Sequence, residues 1–271
     1  MELFLRTMIA RSYPRVVGVV RQPSWVIHEA ILPLLSVSAF ALVYRAMGAP
    51  EEFIGFVIIG GAMTAFWLNI LWSMGAQLYW ERDSGNLELF IIAPGSMMAI
   101  LAGMALGGLV LTFLRAAIIV VAGSLLFQVQ FTPQSWWALA AVFALTMLAL
   151  YGLGMVFASL FLLWGREAWH TVNLLQEPVY LLSGMNYPVK SVLWEGVATA
   201  AAILPLTTGM DAFRQLLFHQ GAGAVDPLLH WGWELFILAV LSAAFLFAAH
   251  WCLHYLERRA REEGRLTVKW Q

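Results

Sequence analysis

The chain has 271 residues, 61% of them hydrophobic and only 11% charged, with a formal net charge of -1 and a mean hydropathy of +0.78. A soluble domain carries about a quarter charged residues, so these values exclude a water-soluble globular protein, and the near-zero charge offers no overall field for nucleic acid. The single cysteine, Cys252, excludes an intramolecular disulfide and any zinc site built from several thiolates.

Residues 1–22 form the first predicted element. On a wheel of 3.6 residues per turn, Leu5, Met8, Ile9, Ser12, Val16, Val19 and Val20 share one face, and Arg6, Arg11, Arg15 and Arg21 take the opposite arc. This is the pattern of a helix lying in the membrane interface with its arginines toward phosphates. Pro14 is expected to kink it, and Pro23 marks its junction with the first long apolar run. No small-residue cleavage site follows a short apolar core, so the segment is not read as a signal peptide.

Apolar runs able to cross about 30 Å of hydrocarbon then occur at 25–47, 53–79, 98–127, 136–164, 169–186 and 231–255. They predict six spans in one helical membrane domain over 1–271, closed by a basic tail at 256–271. The first span opens on His28-Glu29, but Leu32 stands where a zinc-protease helix needs its second histidine. Between the second and third spans, residues 80–94 make a polar island that cannot sit in lipid. In it Ser84, Gly85 and Asn86 are turn or cap residues, Leu87, Phe90 and Ile91 form an i, i+3, i+4 apolar stripe, and Pro94 stops the helix. The product is a short amphipathic helix across the mouth of spans two and three, or, more plainly, a solvated loop.

In the third span Arg115 carries a charge that costs a few kcal/mol at the bilayer centre unless it is paired. It is either an ion pair or carbonyl contact that staples helices, or a polar group on a translocation path. Gly103, Gly107 and Gly108 allow close helix approach, within one protomer or between two. In the fifth span Glu177 precedes Pro178, an expected local break. Glu29 and Glu234 lie nearer span ends, and Asn69, Gln77, Asn173 and Gln176 are expected to hydrogen-bond between helices.

After the fifth span, residues 184–191 begin like a phosphate loop, with Gly184 and Lys190-Ser191. Val189 occupies the place of the second glycine and no strand precedes, so they are not read as a nucleotide site. The fourteen residues 191–204 reach only about 21 Å as a helix, too short to cross. The piece 188–205 is therefore read as a re-entrant hairpin that dips into one leaflet and returns. In the last span His250 and His254 share a face with i, i+4 spacing, but without a third strong ligand they are read as structural.

With six spans both termini share a side, and Lys plus Arg then divide eleven to three, with Arg115 inside a span. The excess places the termini in the cytoplasm. Tryptophans agree: Trp25, Trp80, Trp164, Trp169 and Trp251 fall at inner ends, Trp136, Trp137, Trp231 and Trp233 at outer ends, and Trp67 and Trp72 mid-span.

Two stretches carry a resemblance. Glu81-Arg82, Gly85-Asn86-Leu87-Glu88 and Pro94 look like the Glu-Arg, Gly-Thr-Leu-Glu and Pro pattern between the second and third spans of type-2 ABC transporter permeases, with Asn86 in place of the usual Thr. Ser183 to Pro188, followed by Leu204-Pro205-Leu206-Thr207 with Asp211 and Arg214 downstream, resembles that family's extracellular re-entrant hairpin. The resemblance covers essentially the whole chain. It implies an interfacial N-terminal helix, six spans, a coupling helix at 86–93, and a multi-pass permease of the inner or plasma membrane with both termini cytoplasmic. It further implies export of lipid, glycan or drug-like compounds through a dimer with a second or related permease, driven by two ATPase subunits. ATP and Mg2+ would sit on those subunits and no cofactor on this chain. Expected to couple to the ATPase are Glu81, Arg82, Gly85, Leu87, Glu88, Phe90, Ile91 and Pro94. Expected on the path or at its gate are Arg115, Gly184, Tyr187, Pro188 and Pro205. A lipid-modifying membrane enzyme and an assembly subunit are the alternatives; the enzyme would need carboxylates or histidines clustered at one membrane depth.

Overall fold

The structure is a computed structural model that describes residues 2–21, 23–75, 80–81, 84–86, 89–90, 95–164, 168–218 and 226–262. Among them the chain is helical, with no strand and one isolated bridge between Thr132 and Phe218. In chain order the helices are α1 (Glu2–Arg21), α2 (Pro23–Ala46), α3 (Glu51–Leu68), α4 (Met97–Phe127), α5 (Trp136–Trp164), α6 (Ala168–Ser183), α7 (Val189–Val192), α8 (Glu195–Ala201), α9 (Pro205–Leu217) and α10 (Trp231–Glu262). α3 runs on into a π-helix over Asn69–Gly75. Side chains that are apolar all round leave no water to pair with the backbone, and a helix satisfies every amide internally.

Among the described residues five helices are long and apolar enough to cross a membrane: Ile27–Ala46, Glu51–Trp72, Met97–Phe127, Trp136–Ser159 and Trp231–Tyr255. They match five of the expected spans closely. The fifth expected span, 169–186, differs: α6 has only 16 residues, about 24 Å, which is short of the hydrocarbon thickness. A sixth candidate exists only if α8 and α9, bent by 103°, count as one span. α9 itself lies beyond the end of the expected hairpin, in residues the sequence leaves without an element. The break expected at Pro178 is absent, since Pro178 lies inside α6. A proline costs one ladder bond, which neighbouring helices can offset in a membrane bundle.

α3 is the central helix. Its apolar window is 83% buried, against 17% for α2, 22% for α4 and 17% for α10, whose outer faces are left to lipid or another subunit. Trp67, Phe66, Ile70 and Leu71 on the C-terminal half of α3 and its π extension join Leu101 and Met104 of α4 in the main core. Phe66 meets Phe143 of α5 edge to face, centroids 5.3 Å apart. α10 lies along α5, where Gly152 lets the Phe245 backbone approach and Ser242 Oγ donates to the Leu145 carbonyl at 3.0 Å.

α1 packs on α4 with a side that shares Met8 and Ser12 with the expected apolar face but departs from it elsewhere. Cβ atoms on Gly103 and Gly107 would meet the backbone of Met8 and Ser12 and the side chains of Arg11 and Arg15. The packed strip is thus Ser12, buried, with Met8, Arg11 and Arg15, half-buried, while Leu5 and Ile9 are exposed. Two of the four arginines turn into the protein rather than toward phosphates. The third-span glycines serve packing inside the protomer, for Gly108 receives Asn69.

Candidate functional site

The island begins where the π extension of α3 ends. Ser84 N–H donates to the Trp80 carbonyl at 2.9 Å and Asn86 N–H to the Glu81 carbonyl at 2.8 Å, which closes a tight turn. Gly85 occupies its left-handed position, φ 77°, where a side chain would strain the backbone. Glu81 is buried, and Arg11 of α1 pairs with its Oε1 while Asn86 Nδ2 donates to its Oε2 at 2.9 Å. The same guanidinium lies over the Phe90 ring, 4.8 Å from its centroid. Arg15, one turn on, donates to the Met104 carbonyl at 3.0 Å. Burial draws Arg15 below its ordinary range, repulsion from Arg11 adds to this, and attraction to Glu81 opposes it. Glu81, Gly85 and Phe90 are thereby brought together. Arg82, Leu87, Glu88, Ile91 and Pro94 lie outside the described residues, as does most of the helix expected at 86–93.

Arg115 of α4 pairs with Glu29 of α2. Both are half-buried charges in the apolar part of the bundle, so each lowers the cost of the other. The sequence places both charges but not their meeting; its one usable signal is a lone cation and a lone anion on separate spans.

The second expected motif forms a turn pressed into the bundle. Gly184 stands at φ 62°, and Arg214 of α9 donates to its carbonyl. Tyr44 of α2 donates to the Asn186 carbonyl at 2.7 Å, and Thr207 to that of Leu182 at 3.1 Å. The Met185 carbonyl lies against Gly60 of α3, where any Cβ would collide with it, and Thr64 Oγ1 donates to the Met185 sulfur at 2.9 Å. Gly60 is nine residues from the start of α3, so the turn reaches about 14 Å below that end. Tyr187 donates to the Leu181 carbonyl, and burial pushes its hydroxyl up from the ordinary phenol range while Arg214 pulls it down. Pro188 precedes α7 and Pro205 opens α9 at its first turn, where a missing amide hydrogen is no loss. Gly184, Tyr187, Pro188 and Pro205 therefore share one region, and Arg115 stands apart from it on another helix pair.

Sequence reasoning missed the polar seam that joins α9 to α10. Asp211 Oδ2 accepts from Leu228 N–H at 2.8 Å and Gln215 Nε2 at 3.2 Å. Gln215 also donates to Glu234 at 2.9 Å and accepts from Trp231 N–H at 2.9 Å. Asp211, Arg214 and Glu234 are all buried there. The residues stand three and four apart before a break and a new apolar run, a spacing that signals one helix face.

Compared with known proteins, residues 5–218 match a family model described as ABC-2 type transporter. No curated protein matches the sequence.

Proposed function

The chain belongs to the ABC-2 type transporter family, and from that membership we propose that it exports an amphipathic compound through a path gated by the turn at 184–188. It is a multi-pass membrane protein, the permease component of an ABC-2 transporter, whose ATPase is a separate subunit. In the proposed assembly two permeases, this chain with a second copy or a related one, stand on two ATPases that hold ATP and Mg2+. The termini and the island face the cytoplasm of an inner or plasma membrane.

The observation that carries the proposal is the Arg11–Glu81 pair with Asn86 and Phe90 around it. A loop with only a connecting role has no need to draw a carboxylate into the protein and lock it to a helix 70 positions earlier. Held in this way, the island is a firm contact on which an ATPase can push. Leu87 and Ile91 would fill a cleft on the ATPase, at about 1.5–3 kcal/mol per large side chain buried, with Arg82 and Glu88 fixing orientation and Phe90 holding the island to α1 under Arg11. Closure of the ATPases would then displace α1 and α4 together, because α1 is seated on Gly103 and Gly107. The α2–α4 pair Glu29–Arg115 and the turn against Gly60 would receive that displacement, and the spans would alternate between inward and outward exposure.

The test is Glu88→Lys in the purified complex. Substrate-stimulated ATP hydrolysis is expected to disappear while membrane insertion stays normal. Wild-type stimulation in the variant would reject the coupling role of the island.

A further inference from the structure

The end of the bundle opposite the island holds a cavity of about 480 Å³, within the range of small-ligand sites. It lies where α2 gives way to α3 and where α4 and α9 end. Its polar wall is Arg45, Glu51, Glu52, Gln128 and Gln130, and its floor includes Ile54, Phe127 and Phe218. The wall is fixed by backbone bonds: Thr132 N–H donates to the Leu217 carbonyl at 3.0 Å and Gln134 N–H to that of Leu216 at 2.8 Å. Gly55 leaves room for the Phe218 ring, which a Cβ there would strike.

The charges in this cavity are of both signs: Arg45 is exposed at the end of α2, and Glu51 and Glu52 stand in the first turn of α3. Among the described residues Arg45 forms no ion pair with Glu51 or Glu52, and none of the five polar wall side chains hydrogen-bonds within the protein. Opposite charges that line one space without pairing suit a guest that carries both. A neutral sugar would leave them unmatched, and a purely anionic group would meet the two carboxylates. The surroundings point to the guest's origin. Leu42 and Val43 on α2, Met47 in the turn after it, and Leu125 and Leu126 on α4, all within three positions of the wall, are exposed. Apolar surface of that kind faces acyl chains, so the cavity lies at the depth of lipid headgroups.

We propose that this cavity binds the phosphate–ammonium headgroup of a phosphatidylethanolamine-type lipid, its phosphate on Arg45 and its ammonium between Glu51 and Glu52. The site stands independently of the coupling role of the island.

The complete transporter, with its ATPases, is reconstituted in nanodiscs of equal phosphatidylethanolamine and phosphatidylglycerol, then extracted, and the retained lipid is counted by native mass spectrometry. The wild type is expected to retain phosphatidylethanolamine by about tenfold over phosphatidylglycerol. The double variant Glu51→Gln, Glu52→Gln is expected to lose that preference, and Arg45→Gln to retain neither lipid. Equal retention of the two lipids by the wild type, or an unchanged preference in the double variant, overturns the proposal. Displacement of the retained lipid by millimolar soluble phosphoethanolamine would show a free zwitterion as occupant and overturn the lipid assignment.

Discussion

Arg11 makes an ion pair with Glu81 and a ring contact with Phe90, and its backbone turn rests on Gly103. Removing its guanidinium takes from a buried carboxylate the cation on its Oε1. Arg11→Ala should therefore cost about 1–3 kcal/mol, the range for removing one hydrogen-bonded partner of a buried charged group. Thermal unfolding of the solubilised complex should show a lower midpoint. Arg11→Lys should recover only part of it, because an ammonium keeps the charge but not the flat fork that pairs with a carboxylate and lies on a ring. A midpoint in Arg11→Ala equal to wild type would mean that the Arg11 pair adds nothing to the stability of the fold. Arg214 is the corresponding residue at the far motif. It is buried, donates to the Gly184 carbonyl and sits 5.0 Å from the Phe56 centroid, which holds the turn onto α9 and α3 at once.

At the scale of elements, α1 and α4 meet through two glycines one turn apart. Gly103→Val and Gly107→Val would drive side chains into the backbone of Met8 and Ser12. Backbone cannot move aside cheaply, so α1 must lift. With α1 displaced, Arg11 and Arg15 leave Glu81 and the Met104 carbonyl together. Each valine variant should reach the membrane in normal amount yet lose most substrate-stimulated ATP hydrolysis, while Gly18→Val, in open space on α1, should not. Equal stimulation in all three would remove α1 from the coupling route. The five long spans are legible in the sequence because an unbroken apolar run has one meaning in lipid. The packed side of α1 is only partly so: Met8 and Ser12 lie on it as the wheel suggests, but a wheel sorts residues by polarity whereas Arg11 and Arg15 are drawn inward by specific partners on α4 and the island. α9 is hidden for a related reason: Thr207, Thr208, Asp211 and Arg214 read as polar loop, yet all are buried against α5, α6 and α10. The turn motif is visible as residues, but its depth beside Gly60 depends on contacts from helices more than 100 positions away.

For the whole molecule, the proposed orientation requires both termini on the cytoplasmic side and the α7–α8 segment on the other. Reporters that fold only in the cytoplasm should be active when fused at either end. Trp194, 86% exposed, should as Trp194→Cys react with an impermeant thiol reagent applied from outside. An active reporter at one terminus and a silent one at the other would demand an odd number of crossings and redraw the topology around α6, α8 and α9. The unequal enclosure of the spans has a consequence in another domain, that of descent. Where an outer face of α2 or α10 meets lipid rather than another subunit, leucine, valine, isoleucine and phenylalanine can replace one another with nothing opposite to refit. Along α3 each exchange alters a cavity shared with two or three other helices, and only paired exchanges preserve volume. Lineages carrying this fold will accordingly drift at the rim of the bundle and keep a slow clock at its axis.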